Sequence, residues 1–185
     1  MTFDNSYRPI TVVGRFVLVG CAAVALAGCG GGKHAAATTT ASAAPKPPPS
    51  PARVLGGGAR TLYEGGAWAV VLRGHTAVAA HLVGGAWKAD RSRRVRIAIL
   101  GPDPGTTAAR LPQVAVELRA PARLVEEGLW VDGRELLEKG GGLRPTNLTV
   151  YGAPDKPLAP GTHLAVAYGR TQTTGTAIAW TFRVR

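Results

Sequence analysis

The densest chemistry in this chain is a basic run, Lys88, Arg91, Arg93, Arg94 and Arg96, with Asp90 and Ser92 set among the cations. Guanidinium groups present forked donors that match phosphate and carboxylate oxygens, so the run reads as a contact for an anionic polymer, an anionic headgroup or an acidic protein partner. The plain alternative is a solvated loop running into a strand edge. Trp68 and Trp87, if exposed, would add stacking surfaces for a sugar polymer. The rest of the chain offers little for catalysis. Ser6, Ser42 and Ser50 lie in the N-terminal third, Ser92 sits among arginines with no base partner, and there is no Gly-x-Ser-x-Gly elbow. Glu126, Glu127, Asp132, Glu135 and Glu138 gather along one hairpin region. A glycosidase needs two carboxylates facing a common cleft. Here Asp132 is accounted for by a turn, and its neighbours alternate with solvent-facing groups such as Arg134 and Lys139. His34, His75, His81 and His163 come without a usable cysteine, and His75 and His81 alone lack a third ligand for a metal. Gly140-Gly141-Gly142 has no following Lys-Ser/Thr and marks a turn rather than a phosphate loop. The residues therefore predict no enzyme, no metal site and no cofactor.

The elements that must carry these side chains are short strands. Apolar residues recur with period two or in brief β-rich runs near 60–63, 67–73, 77–83, 94–100, 113–119, 129–131, 148–151, 163–168 and 176–183. Turns rich in Gly and Pro separate them, at 64–66, 74–75, 84–85, 101–105, 140–142 and 159–161. Leu129-Trp130-Val131-Asp132-Gly133-Arg134-Glu135-Leu136 has Asp-Gly between apolar residues, the strongest short hairpin signal. Leu164, Val166 and Tyr168 suit one face of a strand, and Ile178, Trp180, Phe182 and Val184 suit one face of its partner, joined through the polar 169–175 link. Trp130 and Trp180 are expected in one core. A helix is conceivable only at 121–127, where a bend between strands serves equally well. The pattern predicts an all-β fold, an antiparallel sandwich or barrel.

Upstream of residue 53 the composition changes. Residues 30–52, GGKHAAATTTASAAPKPPPSPA in their bulk, contain no Leu, Ile, Val or aromatic residue, and gather Pro45, Pro47, Pro48, Pro49 and Pro51. Such a segment cannot offset the entropy of ordering by burying apolar area, and its proline-rich half favours an extended tether. Before it stands FVLVGCAAVALAGC, residues 16–29, preceded by Arg8 and Arg15. Its apolar part, 16–28, is 13 residues long, short of the roughly 20 that span a bilayer as a helix. A basic flank, a short apolar core and a small-residue end are the marks of an export signal.

Leu26-Ala27-Gly28-Cys29 resembles the lipobox of bacterial lipoproteins. That resemblance implies cleavage before Cys29, a diacylglycerol on its thiol and an acylated new amino terminus. Two or three acyl chains give stable anchoring where one binds only marginally. It implies residues 1–28 as signal peptide, 29–52 as lipid-anchored tether and 53–185 as a domain at the cell membrane, on the extracytoplasmic side. Cys21 would leave with the leader and Cys29 would carry the lipid, so no disulfide framework is expected. Removing Arg8, Arg15 and Asp4 takes the formal net charge from +11 to +10. In that location the charge suits anionic headgroups or an acidic envelope polymer, and nucleic acid is not an expected partner.

From about Gln113 onward the chain is similar to a bacterial immunoglobulin-like domain. The features are Leu129-Trp130-Val131-Asp132-Gly133, Pro157-Leu158-Ala159-Pro160-Gly161-Thr162-His163 and Ala179-Trp180-Thr181-Phe182. The resemblance implies an immunoglobulin-like antiparallel β-sandwich over 113–185, with 53–112 adding strands or a small β extension. Members of that family serve as spacers, adhesion modules and stalks. Metal-carrying relatives bind through histidines near the domain start, where this chain has Arg53-Val54-Leu55, so that role is not carried over. The expected function is a non-catalytic binding or structural lipoprotein contacting an anionic envelope polymer or protein. An accessory or spacer subunit of an envelope complex is the alternative, and a small envelope hydrolase the second.

Overall fold

Alternating apolar residues and closely spaced glycine turns make strands of nearly the whole folded part. The computed structural model describes residues 49–137 and 145–185, all within the unit Pro45–Arg185. The leader, Cys29 and the tether up to residue 48 lie outside the described residues, as do Glu138, Lys139 and the 140–142 turn. A 3₁₀ turn, Pro51–Leu55, precedes β1 (Arg60–Gly65), β2 (Trp68–Arg73), β3 (Thr76–Val83) and β4 (Ala86–Ala89). These four form an antiparallel meander in sequence order. Then come β5 (Arg96–Gly101), β6 (Thr107–Ala108), β7 (Val114–Arg119), β8 (Glu126–Val131), β9 (Arg134–Glu135), β10 (Asn147–Gly152), β11 (Gly161–Arg170) and β12 (Gly175–Val184). They make a three-stranded sheet, β10-β7-β5, and a five-stranded sheet, β6-β12-β11-β8-β9. Every pairing is antiparallel except the short one of β6 with β12. Among the described residues the protein is thus all-β, with one 3₁₀ turn as its helical element.

The five-stranded sheet is buried on both faces, and residue parity along its strands shows how. Leu129, Val131, Ala165, Ala167, Trp180, Phe182 and Val184 meet Val114, Val116, Leu118 and Val150 of the three-stranded sheet in one core. Trp130, Val166, Tyr168 and Ala177, on the opposite face, meet Trp68, Val70, Leu72, Ala77 and Ala79 of the meander in a second core. The meander's other face, Ala69, Val71 and Ala80, lies under Val54, Leu55 and Trp87. Each large apolar side chain fully removed from water contributes about 1.5–3 kcal/mol before the entropy of ordering is set against it. A strand flanked by two cores reads as an apolar run of both parities. Ala165 to Tyr168 is such a run.

Several expectations change. Trp130 and Trp180 do not share a core: they sit on opposite faces of the central sheet, and both are buried because both faces are covered. Trp68 is 3% exposed and stacks on His81 with ring centroids 4.2 Å apart, so it offers no open stacking surface, and Trp87 is half-buried against the outer face of the meander. Residues 121–125 form a bend, and β8 starts at Glu126. Within 53–112, β1 to β4 build the separate meander, whereas β5 and β6 pair with β7 and β12. The Asp-Gly hairpin forms as read. Asp132 and Gly133 take φ of 50° and 83°, the positive values a two-residue turn of this kind demands.

Candidate anion-binding linker

The basic run falls on the segment that carries the chain from β4 of the meander to β5 of the three-stranded sheet. Asp90 fixes its start. The Asp90 amide donates to Ala79 O at 2.8 Å, its Oδ1 accepts from the Ser92 amide at 2.8 Å, and its Oδ2 accepts from the Gly175 amide at 2.7 Å. One carboxylate thereby ties the linker to the first residue of β12. Val95, 1% exposed, fixes the other end by burial in the first core. Between these anchors Arg93 holds a left-handed φ of 52°, a conformation costly for a side chain of its size.

Pinned at both ends, the linker divides its cations between two grooves. Arg91, Arg93 and Arg96 line a groove of about 770 Å³, whose walls are Thr76 to Ala79 of β3 and Thr176 to Ile178 of β12. Lys88 and Arg94 line a second groove of about 320 Å³ with His81, Ser92, Thr173 and Thr174. The five cations expected to act together are therefore three and two. All five are exposed, and among the described residues none takes part in an ion pair. The nearby carboxylate, Asp90, is occupied by two backbone donors. The linker thus presents charge outward on a fixed backbone, which suits an oxyanion partner.

Two other ionisable clusters link separate strands. Glu126, at the start of β8, reaches Tyr63 of the meander as well as Tyr168 and Arg170 of the central sheet. It accepts from Arg170 Nε at 2.6 Å, from the Tyr168 hydroxyl at 3.4 Å and from the Tyr63 hydroxyl. Burial, then the hydrogen bond and charge of Glu126, push the Tyr63 phenol up to about 12. Burial and the Glu126 charge also raise Tyr168. No sequence signal joins residues this far apart along the chain. Asp132 does more than make its turn: Oδ2 lies 2.7 Å from His163 Nδ1, Oδ1 accepts from the Leu164 amide, and His163 Nε2 lies 2.8 Å from Ala159 O. Both imidazole nitrogens face acceptors, the arrangement a protonated ring satisfies. Burial alone would lower the His163 pKa, but the bonds to Asp132 and Ala159 and the Asp132 charge outweigh it, and the net shift is upward.

His75 lies in the turn before β3, while His81 packs against Trp68. Among the described residues no group of three or more His, Cys, Asp or Glu could hold a metal ion. Searches of protein-family models, of curated proteins and of solved structures find no match to this chain.

Proposed function

We propose that this is a lipid-anchored extracytoplasmic binding module, non-catalytic, that takes an anionic partner on the linker between β4 and β5. The observation that carries the reading is the placement of Arg91, Arg93 and Arg96 along one groove, on a backbone pinned by Asp90 and Val95. A pinned backbone loses little freedom on binding, so the ordering cost falls on the arginine side chains and not on the loop as well. The lipobox-like Leu26-Ala27-Gly28-Cys29 supports attachment to the cell membrane through acylated Cys29.

The finer fold reading is an immunoglobulin-like sandwich of the three- and five-stranded sheets. Strand order supports it. The N-terminal edge is split between the two sheets as β5 and β6, β6 runs parallel to the last strand, and β12, β11 and β8 are neighbours. The meander is then an added layer on the outer face of that sandwich, whose link back to it carries the arginines.

The test is retention of the purified protein on immobilised polyphosphate and on immobilised polyglutamate. The variant combines Arg91→Gln, Arg93→Asn and Arg96→Gln, with Asn at 93 because it tolerates positive φ. At about 1 kcal/mol per cation beside an anionic surface, the loss is about 3 kcal/mol, on the order of a hundredfold in affinity. Retention of both probes unchanged by the triple substitution contradicts the reading.

A further inference from the structure

The larger groove is bordered by open strand edges as well as by arginines. On its outer side β12 is paired only by β6, at Arg183 and Val184. Gly105 N–H donates to Thr181 O there, and Asp90 holds the Gly175 amide. Between these two contacts, among the described residues, no strand is hydrogen-bonded to 176–180 on this side, and β3 packs across the sheet face at Ala177. Backbone direction alternates along a strand, so Ala177 and Ala179 turn their N–H and C=O to the same side as Gly175 and Thr181. Across the groove β3 is open at Thr76 to Val78, because β4 pairs with Ala80 to Val83 and the Asp90 amide then takes Ala79 O. β5 is the outer strand of its own sheet, and its Arg96 and Ile97 line the same groove. Three sheets thus bring an unpaired edge to one cleft.

From this the geometry points to an extended acidic segment of a partner protein as the occupant, added as a strand beside β12 at residues 176–180. The proposal rests on the reading of the linker as an anion site and names the partner's class. Main-chain bonds to Ala177 and Ala179 would give the affinity, and acidic side chains on alternate residues of the added strand would meet Arg91, Arg93 and Arg96. Five residues of strand span about 17 Å, a length that a peptide of six to eight residues covers. Charge selects the occupant. The chain's own tether carries Lys33 and Lys46 and no acidic residue, and a second copy of β12 brings Arg183, so both are repelled where an acidic strand is drawn in.

The probe is a labelled eight-residue peptide alternating Glu with Val, added to the purified protein. Its partner probe has the same sequence with alternate amides N-methylated, which removes strand donors while leaving charge and the protein untouched. The expected result is saturable binding, weakened at least tenfold by N-methylation and at least tenfold by the triple arginine substitution. Amide exchange at Ala177 and Ala179 should slow at least tenfold on binding. Equal binding of the two peptides overturns strand addition and leaves the anion-site reading standing, as does binding of polyphosphate with no binding of either peptide. If neither the peptides nor polyphosphate nor polyglutamate binds, both readings fall. Concentration-dependent dimerisation that protects the same amides without peptide makes a second copy the occupant and overturns the proposal.

Discussion

Two side-chain clusters tie separate strands together, and each has a measurable signature. His163 bridges Asp132 in the β8 to β9 turn and the Ala159 carbonyl before β11. Its pKa lies above the ordinary value of 6.5 in the folded protein. A raised pKa means that the folded state holds the proton more tightly, so the contribution is complete below the unfolded pKa and is lost as pH rises through the folded one. Urea unfolding followed across that interval should show stability falling as pH rises, with the slope removed in His163→Gln. A slope unchanged in the variant would place the titration elsewhere. Glu126 is the second case. Glu126→Gln keeps its shape but discards the charge that Arg170 meets at 2.6 Å, with side chains 20% and 24% exposed. Partial solvent access moderates the cost to about 1–3 kcal/mol, read as a lower denaturation midpoint at neutral pH. Neither partnership was legible in the sequence. Asp132 was accounted for by its turn alone, and nothing local links Glu126 to Tyr63 or Arg170.

Strands and turns were the legible level. Period-two runs placed β2, β3, β7, β11 and β12 within a residue or two, and Asp132-Gly133 gave its hairpin. The short β4 was missed, since Ala86 to Ala89 stands behind two glycines and pairs only with the end of β3. The bend at 121–125 competed with a helical reading because Ala122, Arg123 and Leu124 suit either. Packing between strands depends on details that only the fold supplies. A Cβ on Gly128 would come within 2.0 Å of the Trp130 ring, which lies folded back over that glycine. Gly128→Val should therefore push Trp130 out of the second core and cost about 1–3 kcal/mol or more. Gly128→Val should also shift the Trp fluorescence maximum to the red. Native stability in that variant would mean that the second core tolerates displacement of one of its two indole rings.

At the scale of the whole molecule, the sequence spoke clearly for β structure and was misread on the number of layers. The run Ala165-Val166-Ala167-Tyr168 is apolar at every position, the mark of a strand covered on both faces, yet it was assigned a single apolar face. That choice placed Trp130 and Trp180 in one core instead of two. It also hid the division of the basic run, because the two grooves exist only where the linker crosses between layers. The linker's charge was legible; Asp90 reaching Gly175 was not, since the two are brought together only by the stacking of sheets. We propose that this layered β unit is held outside the membrane by lipid on Cys29, with Arg91, Arg93 and Arg96 available to an acidic partner. Mass spectrometry of the chain recovered from the membrane fraction of producing cells tests this most directly. The predicted result is an N-terminal peptide beginning at Cys29 and bearing a diacylglycerol, with Cys29→Ser leaving the membrane fraction. A chain recovered from the cytosol with Met1 in place and a free Cys29 thiol would contradict the account.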